Sequence, residues 1–411
     1  MTLPCEAGFT RRTMPCKEME SLPIRGRVMK NVCFHWLRDV CCPIAAFVMI
    51  GASSVGLVAN DTNDLPSSIA LSDGQWKQLD NAVDRGLEFL SKMQMPDGSY
   101  ESQDRAQSAV TSFCVMAYLS CGHVPGEGPY GEQLNSAIDF VLTTQQPNGL
   151  FCPLTPGTEE WKLVGSYNHA ITGLMLGEVY GMTDSSRQSD LRRAIEKALE
   201  FTHREQDEPK RNADDRGGWR YLLPSSVTDS DLSVTSWHLM FYRSARNAEF
   251  DVPKESIDAA VSFIERCYDS QRGTFCYGLR GRGRSFYSRS MAGAGIVSLS
   301  LAGKHDSEMA QTTSRFVLRH PFTDFNRGGL TMEDRYYYGA YYCSQAMFQL
   351  GGEHFTRFYP GLLQTLVDNQ NRNGSWPPEA NQDGPLGPTY STSLAILALT
   401  PPYQLLPIYQ R

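Results

Sequence analysis

The residues best suited to chemistry sit in short polar stretches that precede long apolar ones. Residues 228–235 read Thr-Asp-Ser-Asp-Leu-Ser-Val-Thr, so Asp229 and Asp231 open the apolar segment 234–242. Aspartates in such a place cap a helix by accepting its free backbone N–H groups. A carboxyl group kept neutral by burial can instead act as a general acid. Residues 278–284 read Gly-Leu-Arg-Gly-Arg-Gly-Arg, in which Arg282 and Arg284 offer guanidinium forks suited to an anion or make an ordinary solvated loop. His169, Trp219, Tyr338, Tyr341 and Tyr390 stand at or near the starts of other apolar segments. Their ring faces suit apolar or cationic partners, and equally suit a packed core. Trp237, inside an apolar segment, reads as core.

Positioning these residues requires a repeated architecture, and the chain carries one. Gln94, Gly98 and Tyr100, then Gln145, Gly149 and Phe151, then Gln370, Gly374 and Trp376 share one spacing: Gln, three residues, Gly, one residue, aromatic. Partial copies stand at Gly217, Gly218 and Trp219, at Gly273 and Phe275, and at Gly328, Gly329 and Leu330. The glycines recur about every fifty to seventy residues, room for two helices per unit. Before the motifs, apolar residues repeat at three and four, as in Trp76, Leu79, Val83, Leu87 and Leu90, or Ile257, Val261 and Ile264. Those helices have one wet face. After the motifs, segments such as 109–119, 170–176, 234–242, 292–301, 340–350 and 394–399 are apolar nearly all round and must be buried on most sides. Amphipathic helices outside and apolar helices inside make a ring of six pairs. Glycine at each junction supplies a positive φ, and glutamine bonds free backbone groups.

The motif series resembles the repeats of the squalene cyclase and protein prenyltransferase superfamily over roughly Gln75 to Leu399, with Gln370 to Trp376 a full copy. The resemblance implies an all-α, (α/α)6 toroid with a central cavity over the starts of the inner helices. It makes His169, Trp219, Arg282, Arg284, Tyr338, Tyr341 and Tyr390 candidates for binding an elongated apolar or isoprenoid-like ligand. In squalene cyclases the middle Asp of an Asp-x-Asp-Asp motif protonates an alkene. Here Asp229 and Asp231 are the nearest text, with Asp231 as the acid, but Leu232 or Ser233 breaks the pattern in either register. Prenyltransferase β-subunits hold zinc through Asp-x-Cys and a later His; 278–284 looks like their diphosphate segment, yet the ligands are missing, so no metal or other cofactor is expected. The thioester ring of complement-type proteins needs Cys-Gly-Glu-Gln, and Tyr130 stands where its cysteine would be.

Three functions follow as expectations: a cavity that binds an isoprenoid-like molecule, a class II terpenoid cyclase using Asp231, or an exported interaction module without chemistry. A lone ring leaves one end open to water, so a partner subunit or domain could close it. With 38 basic and 45 acidic residues the net charge is -7, which gives no pull toward nucleic acid. At the N-terminus, Lys30 and Arg38 precede an apolar run at 40–58, and Ala59 stands before polar sequence. This is the layout of an export signal starting at Met29, or of a membrane anchor if uncut. The expected organisation is a leader at 1–59, a linker at 60–73, the toroid at 74–405 and a tail at 406–411, in a periplasmic or secreted protein that contacts membrane only through residues 40–58. Five of the eleven cysteines fall in or before the leader, and the scattered remainder read as buried thiols.

Overall fold

Helix propensity, capping and the two hydrophobic patterns produce two kinds of helix in the computed structural model, which describes residues 71–325 and 334–410. The leader, with its export or anchor reading, and the partial motif at Gly328, Gly329 and Leu330 lie outside the described residues. Outer helices are α1 (Asp73–Lys92), α3 (Gly131–Thr143), α5 (Ser185–Asp207), α7 (Lys254–Arg266), α10 (Glu308–Arg319) and α12 (Gly352–Asp368). Helix α1 shows the pattern: Ser72 and Gln75 form a reciprocal capping box, and Leu79, Val83, Leu87 and Leu90 bury one face. Inner helices are α2 (Gln107–Leu119), α4 (Glu159–Val179), α6 (Leu232–Asn247), α9 (Arg289–Leu301), α11 (Tyr336–Leu350) and α13 (Gly387–Leu399). They are buried nearly all round; in α2 every residue from Ser108 to Leu119 is buried.

A short hairpin, Tyr268–Asp269 paired with Thr274–Phe275, and the small helix α8 (Gly281–Ser285) interrupt the pair formed by α7 and α9. Among the described residues no helix is long and apolar enough to cross a membrane.

The inner helices pack in sequence, α2 on α4, α4 on α6, α6 on α9, α9 on α11, α11 on α13, and α13 back on α2. The described residues therefore form a closed all-α toroid of six helical pairs. Its turns share one set of bonds. Gln94 Nε2 donates to Gly98 O and to Gln133 O on α3, at 3.0 and 2.8 Å. Gln145 does the same to Gly149 O and Ala194 O on α5, at 3.2 and 2.7 Å. Gln370 closes the circle, donating to Gly374 O and to Ala82 O on α1, both at 2.8 Å. Each glutamine thus ties its own turn to the next outer helix. The degenerate turn at Gly217 has its glutamine displaced: Gln206, eleven residues earlier, donates to Gly217 O and Ser256 O, both at 2.9 Å.

After α13 the chain crosses the C-terminal ends of the inner helices. Thr400 Oγ1 donates to Ser120 Oγ at 2.9 Å, Ile408 N donates to Glu178 Oε2 at 3.0 Å, and the Tyr341 and Tyr409 hydroxyls lie 2.7 Å apart. That end of the ring is covered. The six cysteines at positions 114, 121, 152, 267, 276 and 343 are free and buried.

Candidate functional site

A cavity of about 760 Å3 opens over the N-terminal ends of the inner helices, opposite the covered end. Residues of five of those helices form its apolar floor: Phe113 of α2, Ile171 of α4, Met291 of α9, Tyr338 of α11 and Tyr390 of α13. Phe113 meets Tyr390 edge-on at 6.2 Å, and Trp237 behind it at 5.5 Å. Trp237 Nε1 donates to the Tyr338 hydroxyl at 2.7 Å, Ser233 Oγ stands 3.0 Å from the same oxygen, and Tyr167 donates to Ser233 at 2.8 Å. This chain of bonds ties α4, α6 and α11 together at the floor. Burial pushes the Tyr338 phenol up to about 12, so it stays neutral and able to donate.

Above the floor the lining turns basic, with Arg105, Arg220, Arg280, Arg282 and Arg335, against a lone lining carboxylate among the described residues, Asp383. Asp383 is 4% exposed, pairs with Arg335 and accepts from the Tyr390 hydroxyl at 3.3 Å. Burial raises its carboxyl, while Arg335 opposes the rise.

Of the residues singled out from sequence, Arg282, Tyr338 and Tyr390 line this cavity, whereas Asp231, Asp229, His169, Trp219, Arg284 and Tyr341 do not. Asp231 is fully buried and caps α6: its Oδ1 accepts from Val234 N at 2.9 Å, and its Oδ2 accepts from Arg220 Nη1 at 3.0 Å. Burial raises it to about 6 against the pull of Arg220. It therefore holds the helix start and aims Arg220, which lies over the Tyr221 ring at 4.9 Å. Asp229 is turned away and held in a fork by Arg211, at 2.6 and 3.1 Å. Partial burial would raise its carboxyl, but the Arg211 bonds outweigh that and hold it below the usual range.

His169 is architectural. Phe151 N donates to its Nδ1 at 3.2 Å, just as Tyr100, Trp219 and Trp376 donate to the hydroxyls of Thr111, Thr235 and Thr392. His169 thus fills the threonine position of its own turn. Its Nε2, 2.8 Å from Thr202 Oγ1, carries the proton, and burial lowers its pKa to about 3. Trp219 likewise bonds Thr202 O through Nε1 at 2.9 Å, as Trp376 bonds Leu366 O at 2.8 Å. Asp229 and Trp219 also border a small polar side pocket of about 170 Å3. Arg284 lies 3.8 Å from Asp269, and Tyr341 stacks on Trp237 at 5.7 Å beneath the floor.

Reading by sequence missed Arg105, Arg335 and Asp383. Arg335 directly precedes the tyrosines at 336–338, but nothing in the spacing joins it to Asp383 forty-eight residues later, in a Gly- and Pro-containing loop. Only ring closure brings them together. No group of three or more His, Cys, Asp or Glu side chains among the described residues is placed to hold a metal ion.

No family pattern matches the sequence, and neither does any curated protein. Among solved structures the chain is similar to type II terpene cyclase MstE from Scytonema in complex with geranylgeranyl dihydroxybenzoate, at 14% identity over 81% of this chain and 100% of that one, TM-score 0.54. It is similar to the GH76 α-mannanase of Bacteroides thetaiotaomicron at 14% identity, over 79% of this chain and 96% of that one, TM-score 0.55. A protein from Actinoplanes is 16% identical over 79% of this chain and 99% of that one, TM-score 0.53. At such identities the likeness establishes the α/α toroid fold, which cyclases and glycosidases share.

Proposed function

We propose that the central cavity binds an elongated apolar, isoprenoid-like molecule, in a protein of the squalene cyclase and prenyltransferase kind. The observation that carries this is the aromatic floor: Phe113, Tyr338 and Tyr390 converge from three helices on one deep hollow, backed by Trp237. Such a volume and lining suit a ligand that buries most of its surface. Glycoside hydrolysis, the activity of the mannanase, takes a pair of carboxylates about the scissile bond, and Asp383 alone lines the cavity among the described residues. The burial that raises Asp231 to about 6 favours a second reading, a class II cyclase with Asp231 as proton donor. Against it, both carboxylate oxygens of Asp231 already accept bonds within the wall.

The test is incubation with squalene, geranylgeraniol and prenyl diphosphates, followed by native mass spectrometry and product analysis, with Asp231→Asn alongside. The binding reading expects a retained ligand, unaltered and equally retained by the variant. Turnover lost in Asp231→Asn would establish the cyclase instead. Failure of every compound to bind would leave an exported interaction module.

A further inference from the structure

We propose that the cavity's ligand carries a single anionic head group, a carboxylate or a phosphate monoester, received by Arg105 together with Arg335. This rests on the reading that the floor takes an isoprenoid-like chain, and adds what the other end of that chain must be.

Among the described residues, five arginines line the cavity with one carboxylate. Arg220 pairs with Asp231 at 3.0 Å, Arg280 with Asp214 and Asp215 at 2.7 and 3.0 Å, and Arg335 with Asp383, and Arg282 too has a partner. The Arg105 side chain makes no hydrogen bond or ion pair with any described residue. The Asp383 carboxyl, which feels the Arg105 charge, is already engaged by Arg335, so among the described lining residues two guanidiniums stand against one carboxylate here. Asp104, next in sequence, is exposed and does not line the cavity.

Arg105 is also held in place. It lies in the short turn Asp104–Ala106 that leads into α2, and its carbonyl accepts from Asn168 Nδ2 at 2.7 Å. Ser102 Oγ donates to Leu386 O at 3.0 Å, tying that turn to the loop that carries Asp383. Arg105 is half-buried on the wall of the cavity, where its guanidinium fork is available to an anion that enters. A neutral hydrocarbon would answer the aromatic floor alone. A chain ending in a monoanion answers both halves of the cavity.

The test is calorimetric titration of the full chain with geranylgeraniol, geranylgeranoic acid and geranylgeranyl monophosphate, at low and high salt. An anionic compound is expected to bind at least about 10-fold tighter than the alcohol, with an advantage that shrinks as salt rises. The tighter of the two anions identifies the head group. Arg105→Gln should lose the anion's advantage over the alcohol, while Arg105→Lys should keep most of it. Equal affinity for acid, phosphate and alcohol in the native chain would overturn the head-group proposal and leave the cavity reading intact. So would an anion advantage that survives Arg105→Gln. Binding of none of the three would overturn both.

Discussion

Glu178, on α4, is fully buried where the C-terminal tail crosses the ring. It accepts from Ser244 Oγ at 2.5 Å and from Ile408 N at 3.0 Å, and burial pushes its carboxyl up to about 7 despite both bonds. The folded state thus keeps the proton to a higher pH than the unfolded chain does. The stability this confers is present below about pH 4.5 and is lost as pH rises through about 7, a change on the order of 3 kcal/mol. His169 acts in the opposite sense. Buried and neutral, with a pKa near 3, it makes the fold weaken as pH falls below about 6.5. Comparing native and Glu178→Gln separates the two. Between about pH 5 and about pH 8 the native melting temperature should fall relative to the variant's. Parallel melting curves across that range would show that Glu178 titrates normally and that the tail does not bury it as described.

At the scale of elements, the turns between helices do most to specify the ring. Gly374 has φ 91°, and a Cβ there would stand 2.1 Å from Arg85 O on α1. No side chain fits between the last outer turn and the first outer helix. Gly374→Ala should therefore cost about 2–4 kcal/mol by chemical denaturation, from the left-handed backbone and the displaced carbonyl together. A cost under about 0.5 kcal/mol would mean that α12 and α1 are not in contact there. The same geometry explains what could be read beforehand. Gln370, Gly374 and Trp376 announce a junction because one bond pattern demands those residue types, and the ring follows from repeating it. The apolar inner segments were legible for the same reason, since burial on all sides leaves no polar face. The site was less legible. His169, midway along α4, and Trp219, in the turn before α6, lie beside apolar sequence just as the lining residues do, and sequence does not tell a residue that props a turn from one that faces the hollow. An acid before an apolar helix can be a cap or a proton donor, and sequence does not choose between them for Asp231, which in the structure caps α6. Arg105, Arg335 and Asp383 belong to three separate loops, and only the closed ring places them on one wall.

For the whole molecule, closure creates the inside. Gln370 bonding Ala82 across 288 residues makes the first and sixth pairs neighbours, and the tail lies over the C-terminal ends of the inner helices, away from the cavity's mouth. Floor and rim then differ in character, aromatic below and arginine-rich above, as an amphiphile entering by its tail would require. A chain whose net charge is -7 nevertheless presents five arginines to that hollow, which local placement rather than overall composition brings about. The central claim is that this hollow is a binding site, and filling it is the direct test. Ala109 lines the cavity from α2, so Ala109→Trp places an indole where the ligand would lie. Calorimetric titration with geranylgeraniol delivered from cyclodextrin should show binding to the native chain and none to Ala109→Trp, with the variant's helical circular dichroism unchanged. Undiminished binding to a folded Ala109→Trp would place the ligand elsewhere and contradict the account.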